Sequence, residues 1–265
     1  MNNIQTFDKT IFEHIEKTSD QFTKHFHNTY TIGITHDGLF KSLHEGKTFY
    51  LYENSTKIIN PGEVHGGDSN SWKYTNFYPN IEFLSEIYEQ IFFEKKSPIF
   101  TKHTIEDINL YNLLREFFIN AYSNDDKMAT ETSLINALSY LIKNYTHTTK
   151  EYEPIFDNKP IVKNSIEFIK DSLDTNITLD DLALNSKLSK YHFLRTFKNT
   201  TGLTPHQFII VQRVEKAKEL ISKGTNLNEV AFHTGFSDQS HFNRTFKKIY
   251  GYSPNTLNKN IFKYL

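Results

Sequence analysis

The sequence predicts an α+β chain of two domains: a β-barrel domain followed by its own helices, then an all-helical domain. Three observations carry that expectation. The 265 residues exceed the roughly 150 expected of a single domain. The residue pattern changes along the chain, from short apolar and aromatic runs punctuated by Gly, Asn and Pro to helical periodicity after Pro79. The net charge of −1 is a cancellation: residues 1–159 carry 15 Lys+Arg and 22 Asp+Glu (net −7), and residues 160–265 carry 15 and 9 (net +6). An acidic front and a basic back point to different partners, with the basic part facing a polyanion.

The absence of cysteine excludes disulfides, zinc fingers, iron–sulfur clusters and thiol catalysis, and fits a reducing cytoplasm. Met1 to Asp20 holds Asp8, Glu13 and Glu16 among short apolar stretches, without the basic cap and apolar core of a signal peptide. No apolar run approaches the ~18 residues of a membrane span, so no membrane partner is expected.

In chain order, the candidate strands are Tyr30–Thr35, Gly38–Leu43, Lys47–Tyr52, Lys57–Ile59 and Trp72–Phe77, at a spacing that suits a sandwich or small barrel. Helices are expected over Ile81–Phe93, Ile105–Tyr122 and Met128–Asn144. Leu110, Leu113, Leu114, Phe117 and Phe118 share one face of the second, and Leu134, Leu138, Leu141 and Ile142 one face of the third. Asn144–Pro160 is polar, aperiodic and holds two prolines, as an interdomain linker does. From Ile161 the chain reads as all-helical. Thr178 with Asp181 is a capping-box signal, Asn226 with Glu229 a weaker one, and Thr204-Pro205 opens a helix of about 18 residues ended by Gly224.

An internal repeat dominates the basic half. Leu182-Ala183, Ser189, His192-Phe193-Leu194-Arg195-Thr196-Phe197-Lys198, Gly202 and Pro205 recur as Val230-Ala231, Ser237, His241-Phe242-Asn243-Arg244-Thr245-Phe246-Lys247, Gly251 and Pro254. The offset is 48 before the helix core and 49 after it, so one extra residue sits between Ser237 and His241. Each copy has the anatomy of a helix-turn-helix. A short helix bears a small residue, Ala183 or Ala231. A turn follows at Lys187 or Gly235, and a second helix starts at a hydroxyl cap, Ser189 or Ser237.

In that second helix, Phe193 and Phe197, or Phe242 and Phe246, are four apart and point inward. Tyr191, Leu194 and Arg195 are left outside in the first copy, and Gln239, Ser240, Asn243 and Arg244 in the second. Arg can read guanine, and Asn or Gln adenine, in the major groove. Lys198, Lys247 and Lys248 suit phosphate contacts. The helix between the copies, ~27 Å long, could hold two recognition helices near the ~34 Å spacing of successive major grooves.

Over residues 161–265 these features resemble the AraC/XylS transcriptional regulators of bacteria. The second unit carries the family's pattern: Val230-Ala231-Phe232-His233-Thr234-Gly235-Phe236-Ser237, then Phe242, Arg244, Phe246-Lys247-Lys248 and Gly251-Tyr252-Ser253-Pro254. The resemblance implies sequence-specific binding of double-stranded promoter DNA, usually with activation through RNA polymerase. It assigns base reading to Tyr191, Leu194, Arg195, Gln239, Ser240, Asn243 and Arg244. Leu194 departs from the polar residue often found there and offers only an apolar contact, for instance to a thymine methyl.

In the front half, His25-x-His27 precedes Tyr30, and Asn60-Pro61-Gly62-Glu63-Val64-His65 follows a strand. These resemble the two motifs of cupin barrels, so residues 20–80 look like the cupin-type ligand-binding domain common at the front of this regulator family. His-x-His puts both rings on one strand face, but the carboxylate of a metal-binding cupin is absent from Asn28 to Thr35. No metal, cofactor or catalytic residue is therefore assigned. A small-molecule effector is expected in an aromatic pocket lined by His25, His27, Tyr30, Phe40, His65, Trp72 and Tyr74. His36, His44, His103 and His147 are expected at the surface, and the Leu110–Phe118 stripe could join two protomers of a homodimer.

The chain is thus expected to be a cytoplasmic, non-enzymatic transcription regulator. Residues 1–150 form an effector-binding and dimerisation domain (barrel about 20–80, helices about 81–145), 151–160 the linker and 161–265 the DNA-binding domain. Two alternatives stand beside it: a constitutive DNA binder whose front domain only dimerises, and a metal-binding cupin sensor or enzyme joined to a DNA-binding domain.

Overall fold

The computed structural model describes residues 3–7, 10–18, 21–44, 46–123, 126–146 and 160–261. The expected linker at 151–160 lies outside these but for Pro160, and so does His147. The chain divides into two compact units, one holding most of a β-sheet with three helices, the other built mainly of helices.

The sheet has eight strands: β1 (Asn3–Phe7), β2 (Thr10–Thr18), β3 (Gln21–His25), β4 (Thr31–His44), β5 (Lys47–Leu51), β6 (Thr56–Ile59), β7 (His65–Phe77) and β8 (Thr104–Ile105). Its order is β1-β2-β7-β4-β6-β8, with β3 also on β7 and β5 on β4. Among the described residues it is a cupin-like sheet whose ladder ends at β1 and β8. The strands expected at Tyr30–Thr35 and Gly38–Leu43 are one. Gly38 takes φ 81° within β4, where a Cβ would lie 2.1 Å from the Ser71 carbonyl of β7, so only glycine lets the strands pass this closely.

Two strands fall ahead of the expected barrel start. β2 pairs with β7 from Phe12↔Phe77 to Thr18↔Trp72. Its Glu13 is buried and accepts from Asn76 Nδ2 (3.2 Å) and the Tyr78 hydroxyl. A carboxylate that reads as a surface charge is here satisfied inside the sheet.

Helices α1 (Ile81–Phe92), α2 (Ile108–Ser123) and α3 (Lys127–Tyr145) follow. Leu110, Leu114, Phe117 and Phe118 of α2 join Phe12, Ile32, Ile34 and Phe77 of the sheet and Leu138 and Leu141 of α3 in one core. The stripe considered as a seam between protomers is therefore covered by its own sheet. The same unit corrects the surface assignment of three histidines: His44 is buried, and His36 and His103 are partly buried.

The helical unit comprises α4 (Pro160–Asp171), α5 (Leu179–Asn185), α6 (Lys190–Thr201), α7 (Pro205–Ser222), α8 (Leu227–His233), α9 (Gln239–Tyr250) and α10 (Pro254–Ile261). Capping boxes at Thr178/Asp181 and Thr204/Gln207 fix the starts of α5 and α7, the latter with proline in the first turn. Asn226 caps α8 through Asn228 N alone. Ser189 caps α6, but α9 is capped by Asp238, which accepts from His241 N at 2.7 Å, and not by Ser237. The extra residue of the second copy therefore sits before the cap, and both helices are capped three residues ahead of their histidine.

The turns between paired helices superpose in their hydrogen bonds. Leu188 N donates to Ala183 O and Phe236 N to Ala231 O, both at 3.0 Å. Each turn needs a left-handed residue, Lys187 at φ 55° and Gly235 at φ 74°. At Gly235 a Cβ would lie 2.2 Å from the Leu173 carbonyl and 2.9 Å from the Arg213 guanidinium, which itself donates to Leu173 O and Thr175 O. Gly235→Ala should thus destabilise the helical unit by about 2 kcal/mol or more, whereas Lys187→Gly should stabilise it by about 1 kcal/mol. Urea melts followed by far-UV circular dichroism check both, and an unchanged midpoint for Gly235→Ala would contradict this geometry.

Candidate DNA-reading helices and effector cavity

The second helix of each repeat presents one buried and one open face. In α6, Phe193 and Phe197 are fully buried, with ring centroids 5.4 Å apart, and Tyr191, Leu194, Arg195 and Lys198 are exposed. In α9, Phe242 and Phe246 are buried 5.8 Å apart, and Gln239, Ser240, Asn243, Arg244, Lys247 and Lys248 are exposed. Among the described residues neither Arg195 nor Arg244 is tied up in an ion pair, whereas Lys190 pairs with Asp180 at 2.6 Å. Gln239 Nε2 lies 3.3 Å from Asn228 Oδ1 of α8, a bond that base contact would have to exchange. α7 packs against α6, α8, α9 and α10, and so carries both recognition helices.

The seven front-half candidates are all buried. Tyr30 donates its hydroxyl to Pro98 O at 2.7 Å and belongs to the main core. Phe40, Trp72 and Tyr74 stack in a column, at centroid distances of 4.1 and 3.9 Å, and Trp72 Nε1 donates to Thr35 Oγ1. Lys57 Nζ lies 4.9 Å from the Phe40 centroid, and burial brings its pKa down to about 8, against the opposing pull of Glu13. His25 and His65 have rings 4.3 Å apart.

None of these seven lines the cavity of about 430 Å³ bounded by His14, His36, Thr75, Arg115, Phe118, Ile119 and Tyr122. Strands β2, β4 and β7 supply the polar wall. Thr75 Oγ1 sits between His14 Nδ1 (2.8 Å) and His36 Nε2 (2.7 Å), and the Tyr111 hydroxyl lies 3.4 Å from His36 Nδ1. Helix α2 supplies Arg115 and the apolar wall. Burial, then the basic neighbours His14, Lys73 and Arg115, push His36 down to about 4. Burial also lowers His14, against its hydrogen bond to Glu16. At neutral pH the polar wall is therefore two uncharged imidazoles beside one guanidinium. Sequence spacing gives no hint of this set, since His14 and Arg115 are about a hundred positions apart; only the alternation in Thr10–Thr18 marks His14 as a strand residue.

A ligand-sized cavity on a sheet domain and two helix-turn-helix units on a basic one define a DNA-binding regulator with a small-molecule domain. Residues 11–138 match the model of the AraC-like ligand binding domain, and residues 182–260 that of a helix-turn-helix domain. The HTH-type transcriptional regulator YbfI of Bacillus subtilis is 28% identical over 226 residues, covering 83% of this chain and 81% of that one. The Tn10 TetD protein of Escherichia coli is 32% identical over 111 residues, covering 42% of this chain and 80% of its own length. Apo ToxT K231A of Vibrio cholerae superposes with a TM-score of 0.62 at 14% identity, covering 97% of this chain and 98% of that one. ToxT with an unsaturated fatty acid bound superposes at 0.57, with 15% identity and coverage of 97% and 94%. The chain belongs to the AraC family of transcription regulators, with a ligand-binding front domain and a DNA-binding helix-turn-helix region. Among the described residues no helix is long and apolar enough to cross a membrane.

The depressed histidines link stability to pH. Between the ordinary histidine value of 6.5 and about 4, the unfolded chain binds the His36 proton and the folded one does not. That contribution is complete above about pH 6.5 and is lost as pH falls towards 4. Acidification from pH 7 to about pH 4.5 should lower the melting temperature less in His36→Gln than in wild type. Thermal melts at both pH values test this, and parallel losses in the two proteins would contradict it.

Proposed function

We propose that this chain controls transcription at promoter DNA in response to a small amphipathic carboxylic acid bound in the cavity at His14, His36, Thr75 and Arg115. The observation that carries this is the pairing of one exposed guanidinium with two neutral imidazoles at the edge of an apolar recess. A carboxylate would take charge-assisted bonds from Arg115 and hydrogen bonds from neutral imidazole N–H groups, while Phe118, Ile119 and Tyr122 take the hydrocarbon. A ToxT structure with an unsaturated fatty acid bound supports this class of ligand on the same fold.

Residues 1–150 are the effector-binding part, 151–160 the tether and 161–265 the DNA-binding part. Base reading falls to Tyr191, Leu194 and Arg195 in one groove segment and to Gln239, Ser240, Asn243 and Arg244 in the next. Lys198, Lys247 and Lys248 contact phosphates. The exposure of these side chains opposite buried phenylalanines supports the assignment. The regulator works in the cytoplasm as an activator through RNA polymerase. Exposed Ile108, Met128 and Ile135 on α2 and α3 offer a surface to a second copy. Effector binding couples to DNA binding as a free energy shared between two sites.

Calorimetry with a long-chain unsaturated acid and the alcohol of the same chain tests the cavity. Wild type should prefer the acid by about tenfold or more, and Arg115→Ala should abolish the preference. Equal affinity for acid and alcohol in wild type would contradict the proposal.

A further inference from the structure

We propose that His44, Glu63 and His103 form a binding site for one divalent first-row transition ion of the zinc class. The site is separate from the acid-binding cavity and from the pair of His25 and His65. His44 ends β4, Glu63 lies in the turn between β6 and β7, and His103 immediately precedes β8. One ligating nitrogen from each ring and one carboxylate oxygen come within 4.8 Å of one another. Glu63 Oε2 lies 3.3 Å from His44 Nε2 and 3.6 Å from His103 Nδ1. Bonds of about 2.0–2.1 Å in a tetrahedral shell place neighbouring ligand atoms roughly 3.3–3.4 Å apart, so small side-chain shifts suffice to admit an ion.

Independent evidence comes from His44 itself. Its side chain is 1% exposed, and its Nε2 faces Glu63 Oε2 at 3.3 Å without completing a full hydrogen bond. A buried nitrogen lone pair or N–H left unsatisfied is costly, and a bound cation between Nε2 and the carboxylate removes that cost. The other ligands are already oriented. Asn60 N donates to Glu63 Oε2 at 2.8 Å and Asn60 Nδ2 to Oε1 at 2.9 Å. Asn60 is in turn clamped to the Phe100 backbone through its side chain, with Nδ2 to Phe100 O at 2.7 Å and Phe100 N to Oδ1 at 3.0 Å. His103 Nδ1 lies 3.1 Å from Ile58 O. Nδ1 is also the nitrogen that faces Glu63, so an ion bound there takes the place of this carbonyl contact.

Two imidazoles and one carboxylate favour a transition ion over calcium or magnesium. The side chains of Glu63 and His103 are 15% and 13% exposed, which leaves an entry path and room for water as a further ligand. Bound there, the ion would cross-link three chain segments at one end of the sheet.

Cobalt(II) is the probe. Full-length protein freed of metal with a chelator should take up one equivalent at this site, with visible ligand-field bands and a raised melting temperature. Glu63→Gln and His103→Gln should weaken it by more than about tenfold, and so should His44→Gln. His65→Gln should leave these bands unchanged. If His44→Gln proves unfolded by circular dichroism, the two half-buried positions decide. No uptake by wild type, uptake indifferent to Glu63→Gln and His103→Gln, or uptake lost only in His65→Gln would each overturn the proposal.

Discussion

The second helix of each repeat is fixed in rotation by two phenylalanines one turn apart, and the candidate DNA-reading face depends on that constraint. Phe193 with Phe197, and Phe242 with Phe246, are fully buried. Truncating a single buried phenylalanine costs about 3–5 kcal/mol, far more than any outward side chain contributes to folding. With one stripe committed to the core, the 100° step of the helix dictates which residues face out. Arg195 and Arg244 share that outward face because they hold the same place relative to these anchors. α7 then matters as a strut, since it touches α6, α8, α9 and α10 at once. A 48-residue unit used twice becomes two candidate reading helices packed on one shared helix.

The front unit follows the opposite logic: its apolar surface is spent inward, and function is left to polar groups at the margins. The column of Phe40, Trp72 and Tyr74 and the core around Phe117 take the aromatic side chains. Three strands and a helix then leave a cavity whose character is electrostatic. Desolvation keeps His14 and His36 uncharged beside Arg115, so the wall carries one fixed positive charge and several hydrogen-bonding atoms. Glu16, 3.3 Å from His14 Nε2, is itself paired with Lys73 at 3.5 Å.

Legibility differed between the units for a physical reason. The repeat, the caps at Thr178, Ser189 and Thr204, the strut helix and the outward positions are local features, written in spacings of three, four and 48 residues. Even the shift of the cap from Ser237 to Asp238 follows from the single inserted residue. In the sheet, neighbours come from distant sequence. β2 was hidden because Glu13, His14 and Glu16 break up its apolar residues, whereas Glu13 is satisfied inside the sheet by Asn76 and Tyr78. His14, Thr75 and Arg115 meet only through strand pairing and the docking of α2, and His44, Glu63 and His103 only where three segments converge. Aromatic residues were visible as a class, but which of them face a cavity depends on register, and register is not a property of composition.

The central claim is that one chain reads two successive major-groove segments through equivalent arginines. The most direct measurement is selection of binding sites from random duplex DNA by wild type, Arg195→Ala and Arg244→Ala, with affinities for the selected site. Each substitution should cost about 1–3 kcal/mol of specific binding. Each should also relax base preference in a different block, the two blocks lying about one helical turn apart. Full discrimination retained by both variants, or loss confined to the same block in each, would contradict the account.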